Sequence, residues 1–305
     1  MSAHRRFGAV LVALAATAAG AHPGLHEDIA KVTAAIDKAP TRADLYVERA
    51  FLERLDENLD AALLDLDKAF RLDPANLGVA AERGMTLSAL GQDADAEAEL
   101  TRFVRHGGTA PTFAERAKVR ERLGRKKDAV ADYTAAITLN PDIEFFIARG
   151  SVQESLGDLA GAAAGYREGR ASLGEAVALD LALIRVETGR KRFAQALELI
   201  DAQLSRAAVK TEWYLRRADV LAAAGRMNEA TADREAALRE ADAAVLRTGS
   251  GLQLYSRAKV QAALGRIDGA KHDLEMVLEK SPRFAEAREM LAKLATADND
   301  KGMKP

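Results

Sequence analysis

The chain has 305 residues, of which 48% are hydrophobic and 30% charged, enough apolar material for a packed core and far from the composition of a disordered chain. Its formal net charge of -2 provides no basic surplus pointing to nucleic acid or anionic lipid. The absence of cysteine excludes disulfides, thiolate metal sites and thiol nucleophiles. Aromatic residues are scarce, at 5%, and alanine recurs throughout, which favours an all-α fold with closely packed helices over a sandwich or barrel.

At the N-terminus, Arg5 and Arg6 precede an uncharged, mostly apolar run from Phe7 to Ala19, and Ala19-Gly20-Ala21 follows as a small-x-small cleavage pattern. These features read as a secretory signal peptide over 1–21, cleaved after Ala21. The apolar run is shorter than the roughly 20 residues of a membrane-spanning helix, so a soluble periplasmic or secreted product is expected, without stable insertion into a membrane. Residues 22–40 follow as an N-terminal helix, with Leu25, Ile29, Val32 and Ile36 along one stripe.

From 41 to 282 the chain repeats itself with a period close to 34. Gly91, Gly124, Gly157, Gly189, Gly225 and Gly265 each follow a helix-like stretch, as glycine does where a helix ends in a left-handed residue. Ala62, Ala96, Ala129, Ala162, Ala196, Ala230 and Ala270 form a second ladder. Each is preceded by a small partner twelve or fourteen residues earlier: Ala50, Gly84, Ala117, Gly150, Ala182, Ala218 and Ala258. Small residues facing each other let the two helices of a hairpin approach closely. A third ladder pairs Arg49 with Asp65, Arg83 with Glu99, Arg116 with Asp132, Arg217 with Asp233 and Arg257 with Asp273, always sixteen residues apart; Arg149 faces Gly165 instead. That spacing sets an arginine on one helix beside a carboxylate on the next, and the pairs read as structural.

These residues resemble the tetratricopeptide repeat. The first repeat has Tyr46, Ala50, Leu59, Ala62, Leu66, Ala69 and Pro74 at the family's signature positions. The third has Phe113, Ala117, Gly124, Ala129, Tyr133, Ala136 and Pro141, and the last has Ala258, Gly265, Ile267, Ala270, Leu274 and Pro282. The resemblance implies a right-handed α-solenoid of about seven helical hairpins. Departures are expected at Glu57, which stands in a glycine position, and in the fifth repeat, where GRKRFAQAL reads as a turn with two extra residues. Between the sixth and seventh repeats, six added residues read as a loop at Arg247–Gly251. Residues 283–305 read as a capping helix bearing Phe284, Ala287, Met290, Leu291 and Leu294, then a frayed tail, DNDKGMKP.

Motifs for phosphate, dinucleotide, serine-nucleophile and zinc chemistry are absent from the sequence, and no cofactor is expected. His106-Gly107-Gly108 reads as an inter-repeat turn. The resemblance implies a non-enzymatic scaffold that takes a partner peptide or helix on a concave face lined by the first helix of each hairpin. The family's groove positions fall on Val47, Phe51, Arg54, Met85, Lys118, Ile147, Leu183, Leu215, Tyr255 and Lys259. The Lys-Asn set with which some family members clamp a terminal carboxylate is lacking, while a second copy of the chain is among the partners left open. The alternative reading is copper binding: cleavage after Ala21 would expose His22, whose amine and imidazole chelate together, and His26 would add another nitrogen.

Overall fold

A computed structural model describes residues 24–302, all of them in helices and short connections. The chain forms two compact units that meet in sequence between Arg125 and Lys126. The first contains α1 (Leu25–Lys38), α2 (Ala43–Leu55), α3 (Leu59–Leu72), α4 (Leu77–Ala89), α5 (Asp93–Val104) and α6 (Ala110–Arg122). The second contains α7 (Lys126–Leu139), α8 (Ile143–Ser155), α9 (Leu159–Leu173), α10 (Val177–Gly189), α11 (Phe193–Arg206), α12 (Thr211–Ala223), α13 (Met227–Thr248), α14 (Gly251–Ala263), α15 (Ile267–Lys280) and α16 (Ala285–Gly302). Each unit is a run of helical hairpins, the all-α solenoid architecture expected from the repeats.

The first helices of the pairs, α2, α4, α6, α8, α10, α12 and α14, are all thirteen residues long. They end alike: the second residue beyond each takes a positive φ, and the amide after it donates to a carbonyl five residues back, as in Gln92 to Leu87 at 2.9 Å and Asp158 to Gln153 at 2.9 Å. This is the Schellman stop, which satisfies carbonyls that the helix end leaves open. Glycine fills the left-handed position five times; Glu57 (φ 62°) and Lys191 (φ 59°) fill it in the first and fifth pairs.

Lys191 corrects the expected register of the fifth repeat. Gly189 is the last residue of α10 and has no positive φ, and the turn carries no extra residues. The hydrogen-bonded turn sets the register here, so a lysine accepts the strained backbone that the sequence pattern assigned to the nearest glycine. The small-residue position of α10 moves with it by two, from Ala182 to Ile184, which clusters with Ala196 and Ile200. Elsewhere the ladder of small residues is confirmed within each unit: Ala50, Ala62, Ala96, Ala162, Ala218, Ala230, Ala258 and Ala270 are fully buried. A Cβ on Gly84 would stand 2.6 Å from Leu100 Cγ, and one on Gly150 would run into the Tyr166 ring, so these backbones pack at distances that only glycine permits.

Two further expectations are corrected. The added residues between the sixth and seventh repeats form no loop; they extend α13 to 22 residues, with Ala237, Leu238 and Ala241 buried and Val245 packed near Leu254. Alanine and leucine at helical spacing favour continuing the helix over opening it. The C-terminal helix likewise continues to Gly302, through residues assigned to a frayed tail. The flanking helices cover the ends as expected. Val32 and Ile36 of α1 join Tyr46 and Leu66 in one cluster, while Ala287 of α16 is buried against Leu254 and Leu274, with Phe284, Met290, Leu291 and Leu294 beside it.

Candidate functional site

The arginine ladder is the dominant polar feature, and within each unit it holds helices together. The Arg49 guanidinium on α2 donates to both oxygens of Asp65 on α3 at 2.6 and 2.7 Å, Arg217 grips Asp233 at 2.7 and 2.8 Å, and Arg257 grips Asp273 at 2.8 and 2.7 Å. Hydrogen bonding to Asp233, opposed by burial and aided by Asp201, raises Arg217 above its ordinary pKa and keeps it charged. Arg83 lies 3.7 Å from Glu99 and bonds Asp67 more closely. Arg149 turns to Glu168 across the space left by Gly165, where a Cβ would lie 3.2 Å from its Nη2. Arg116 and Asp132 belong to different units.

Each of these arginines also reaches the preceding second helix, a link absent from the sequence reading. Arg49 donates to Thr33 at 3.1 Å, Arg116 to Thr101 at 3.2 Å, Arg149 to Thr134 at 3.4 Å, Arg217 to Asp201 at 2.6 Å and Arg257 to Asp242 at 3.2 Å. The signal was present: an acceptor stands fifteen or sixteen residues before every ladder arginine, mirroring the carboxylate that stands sixteen residues after all of them but Arg149. In the fifth pair the arginine and aspartate positions carry Leu183 and Leu199, which meet in an apolar cluster. There the charges are exchanged between helices: Arg170 of α9 lies 2.6 Å from the buried Asp180 of α10, and Arg167 bonds the fully buried Glu187.

The expected groove residues divide between the two units and between two roles. In the first, Phe51 and Met85 are half-buried, Val47 packs against the core, Arg54 is tied to Glu82 on α4 at 2.9 and 3.1 Å, and the Lys118 side chain is 58% exposed. In the second, Ile147 and Leu215 are half-buried beside core clusters, Tyr255 packs on Phe284 with centroids 4.9 Å apart, and Lys259 pairs with Glu212 while its ammonium lies 5.5 Å from the Tyr255 ring. Leu183 is corrected: it is a core residue, 2% exposed, because the true register of α10 places it at the arginine position. Arg185 takes the surface instead, donating to Glu154 of α8 at 2.7 and 3.0 Å. Burial alone would raise the Glu154 carboxyl, but hydrogen bonds from Arg185 and Tyr166 outweigh it and hold that carboxyl below its ordinary range.

A depression of about 400 Å³ in the second unit is lined by Leu197, Leu221, Ala232 and the pairs Arg217–Asp201, Arg217–Asp233 and Arg226–Glu229, so its charges are already matched. Thr248-Gly249-Ser250-Gly251 closes α13 and caps α14, and Gly107 and Gly108 with their positive φ make the turn into α6. His22 lies outside the described residues. His26 is exposed, with its Nδ1 3.5 Å from Asp56, and among the described residues no group of three or more His, Asp or Glu side chains could hold a metal ion. No described helix is long and apolar enough to cross a membrane.

Residues 110–143 match the tetratricopeptide repeat family. None of the curated proteins matches the chain. Among solved structures, the C-terminal part of a tetratricopeptide repeat-containing protein from Cytophaga hutchinsonii is similar with a TM-score of 0.59 at 14% identity, over 80% of this chain and 98% of that one. A tetratricopeptide repeat protein from Parabacteroides merdae is similar with a TM-score of 0.51 at 19% identity, over 84% of this chain and 99% of that one. The chain thus carries a tetratricopeptide repeat and folds as tetratricopeptide-repeat proteins do.

Proposed function

We propose that this chain is an exported, non-enzymatic scaffold that binds a protein or peptide partner on the faces lined by its first helices. The observation that carries this reading is the constant register of those helices. Within each unit the first helices, all thirteen residues long, present corresponding positions once per repeat, which suits an elongated ligand better than a small molecule in an enclosed cavity. Half-buried Phe51 and Met85 in the first unit, and Ile147 and Leu215 in the second, leave apolar surface that such a ligand can cover. Export rests on the sequence of residues 1–21, with cleavage leaving His22 first.

A photo-crosslinking amino acid at position 51, another at 215 and a control at the exposed Leu64 on the second helix α3 test the reading in native envelope fractions. Discrete adducts from the first two positions, lost on competition with the unlabelled parent chain but retained on competition with its Phe51→Ala/Tyr255→Ala variant, support it. Equal labelling from Leu64 would overturn it. Mass spectrometry of the purified chain tests export separately, through an N-terminus at His22.

A further inference from the structure

Helix α13 carries, on the side turned away from the core, both a protruding side chain and the border of a recess. Its buried residues are Ala230, Asp233, Ala237, Leu238 and Ala241. Ala232, Arg239 and Leu246 follow one another at intervals of seven, which keeps them on a single stripe of a 3.6-residue helix, opposite that buried side. Leu246, in the extension of α13, is 87% exposed, more than any other large apolar side chain among the described residues. Arg247 beside it is also exposed and makes no ion pair among the described residues.

At the other end of the stripe, Ala232 borders the depression of about 400 Å³ between α11, α12 and α13, to which Leu197 and Leu221 give an apolar part. Every charge there has a partner, but Arg217 serves both Asp201 and Asp233. Three carboxylates therefore stand against two guanidiniums, an excess of one negative charge. Asp201 and Glu229 are more than half exposed, so either can accept from a further donor. Where α3 has the exposed Leu64, two residues after Ala62, α13 has alanine, and the recess stays unfilled.

Ala232 and Leu246 stand about 21 Å apart along the helix. A twofold axis through Arg239, perpendicular to the stripe, exchanges the two positions. We propose that the chain forms a symmetric dimer in which α13 lies antiparallel to α13 of a second copy. Each Leu246 enters the other copy's depression against Leu197, Leu221 and Ala232, and each Arg247 meets the excess negative charge at Asp201 or Glu229. Near the axis, Arg239 and Glu240 are adjacent and neither has an ion pair among the described residues. Each Arg239 turns to the other copy's Glu240, so two like charges do not stand opposed. Because the protruding and receiving sites share one surface, the contact is isologous and closes at two chains. It uses the outer side of a second helix, so it goes beyond the scaffold reading and does not depend on it.

The test follows the full mature chain by sedimentation velocity up to about 100 μM, where a micromolar dimer is populated. Leu246→Glu and Ala232→Leu should each weaken the dimer about tenfold. Both positions are exposed, and Leu64 already occupies the second one in α3, so circular dichroism should show both folds unchanged. Mixing the two variants restores one contact of the two, so the mixture should associate more than either alone. The chain has no cysteine, and an oxidised mixture of Leu246→Cys and Ala232→Cys chains should form disulfide-linked dimers faster than either variant alone. A monomer at every concentration, a dimer that either Leu246→Glu or Ala232→Leu leaves intact, or equal crosslinking rates overturns the proposal.

Discussion

Leu183 of α10 and Leu199 of α11 meet in a buried apolar cluster at the same two register positions where Arg49 of α2 and Asp65 of α3 form a bidentate ion pair. One fold thus accommodates both solutions to the same contact. An apolar pair costs no desolvation of charge, whereas a half-made ion pair leaves a buried charge uncompensated.

That precedent makes the last hairpin a quantitative test. Asp273 is 1% exposed and holds Arg257 with both oxygens, so Asp273→Ala should cost about 3–5 kcal/mol. The double variant Arg257→Leu/Asp273→Leu should recover most of that loss, leaving Asp242, half-exposed, to water. Native-state hydrogen exchange in α14 and α15 measures this locally, since helical-repeat stacks do not always unfold in one step. A double variant as unstable as the single would show that the bridge carries more than local packing.

The turn after α10 supplies a second test. Lys191 holds a left-handed backbone that costs an L-residue roughly 1–2 kcal/mol, partly offset by glycine's extra freedom when unfolded. Lys191→Gly should stabilise the hairpin by about 0.5–1 kcal/mol, and Gly157→Ala at the matching position should destabilise its own by a similar amount. Thermal melting of both variants checks the corrected register. Loss of stability in Lys191→Gly would refute it.

Acid acts through Glu154. Its carboxyl is held below the ordinary value of 4.5 in the folded state, so its contribution is fully present above that pH and disappears as pH falls through the lower folded value. Melting temperature should therefore drop below about pH 4.5, and the drop should be shallower in Glu154→Gln. Parallel curves for the two proteins would assign the acid sensitivity to other carboxylates.

The repeat was legible because helical packing leaves a periodic mark. Small residues recur where backbones touch, and the Arg49–Asp65 spacing recurs where the two helices of a hairpin face each other. The second partner of each arginine was equally periodic, in Thr33, Asp201 and Asp242, yet a mixture of threonine and aspartate conceals a shared acceptor role. Leu183 was misread as a surface residue because Gly189 fits the pattern of a turn, while the hydrogen-bonded turn itself places Lys191 there. Of the candidate face, Phe51, Met85 and Lys118 were legible by register; that Lys118 stands exposed while Arg54 is consumed by Glu82 was not.

Composition and a 34-residue period are enough by themselves to specify helix, hairpin and repeat number, since those depend on contacts at short separation along the chain. Tertiary structure alone decided which charges are spent and which residue takes the strained turn. Those outcomes depend on burial and on partners in neighbouring helices, whose energies no local pattern encodes.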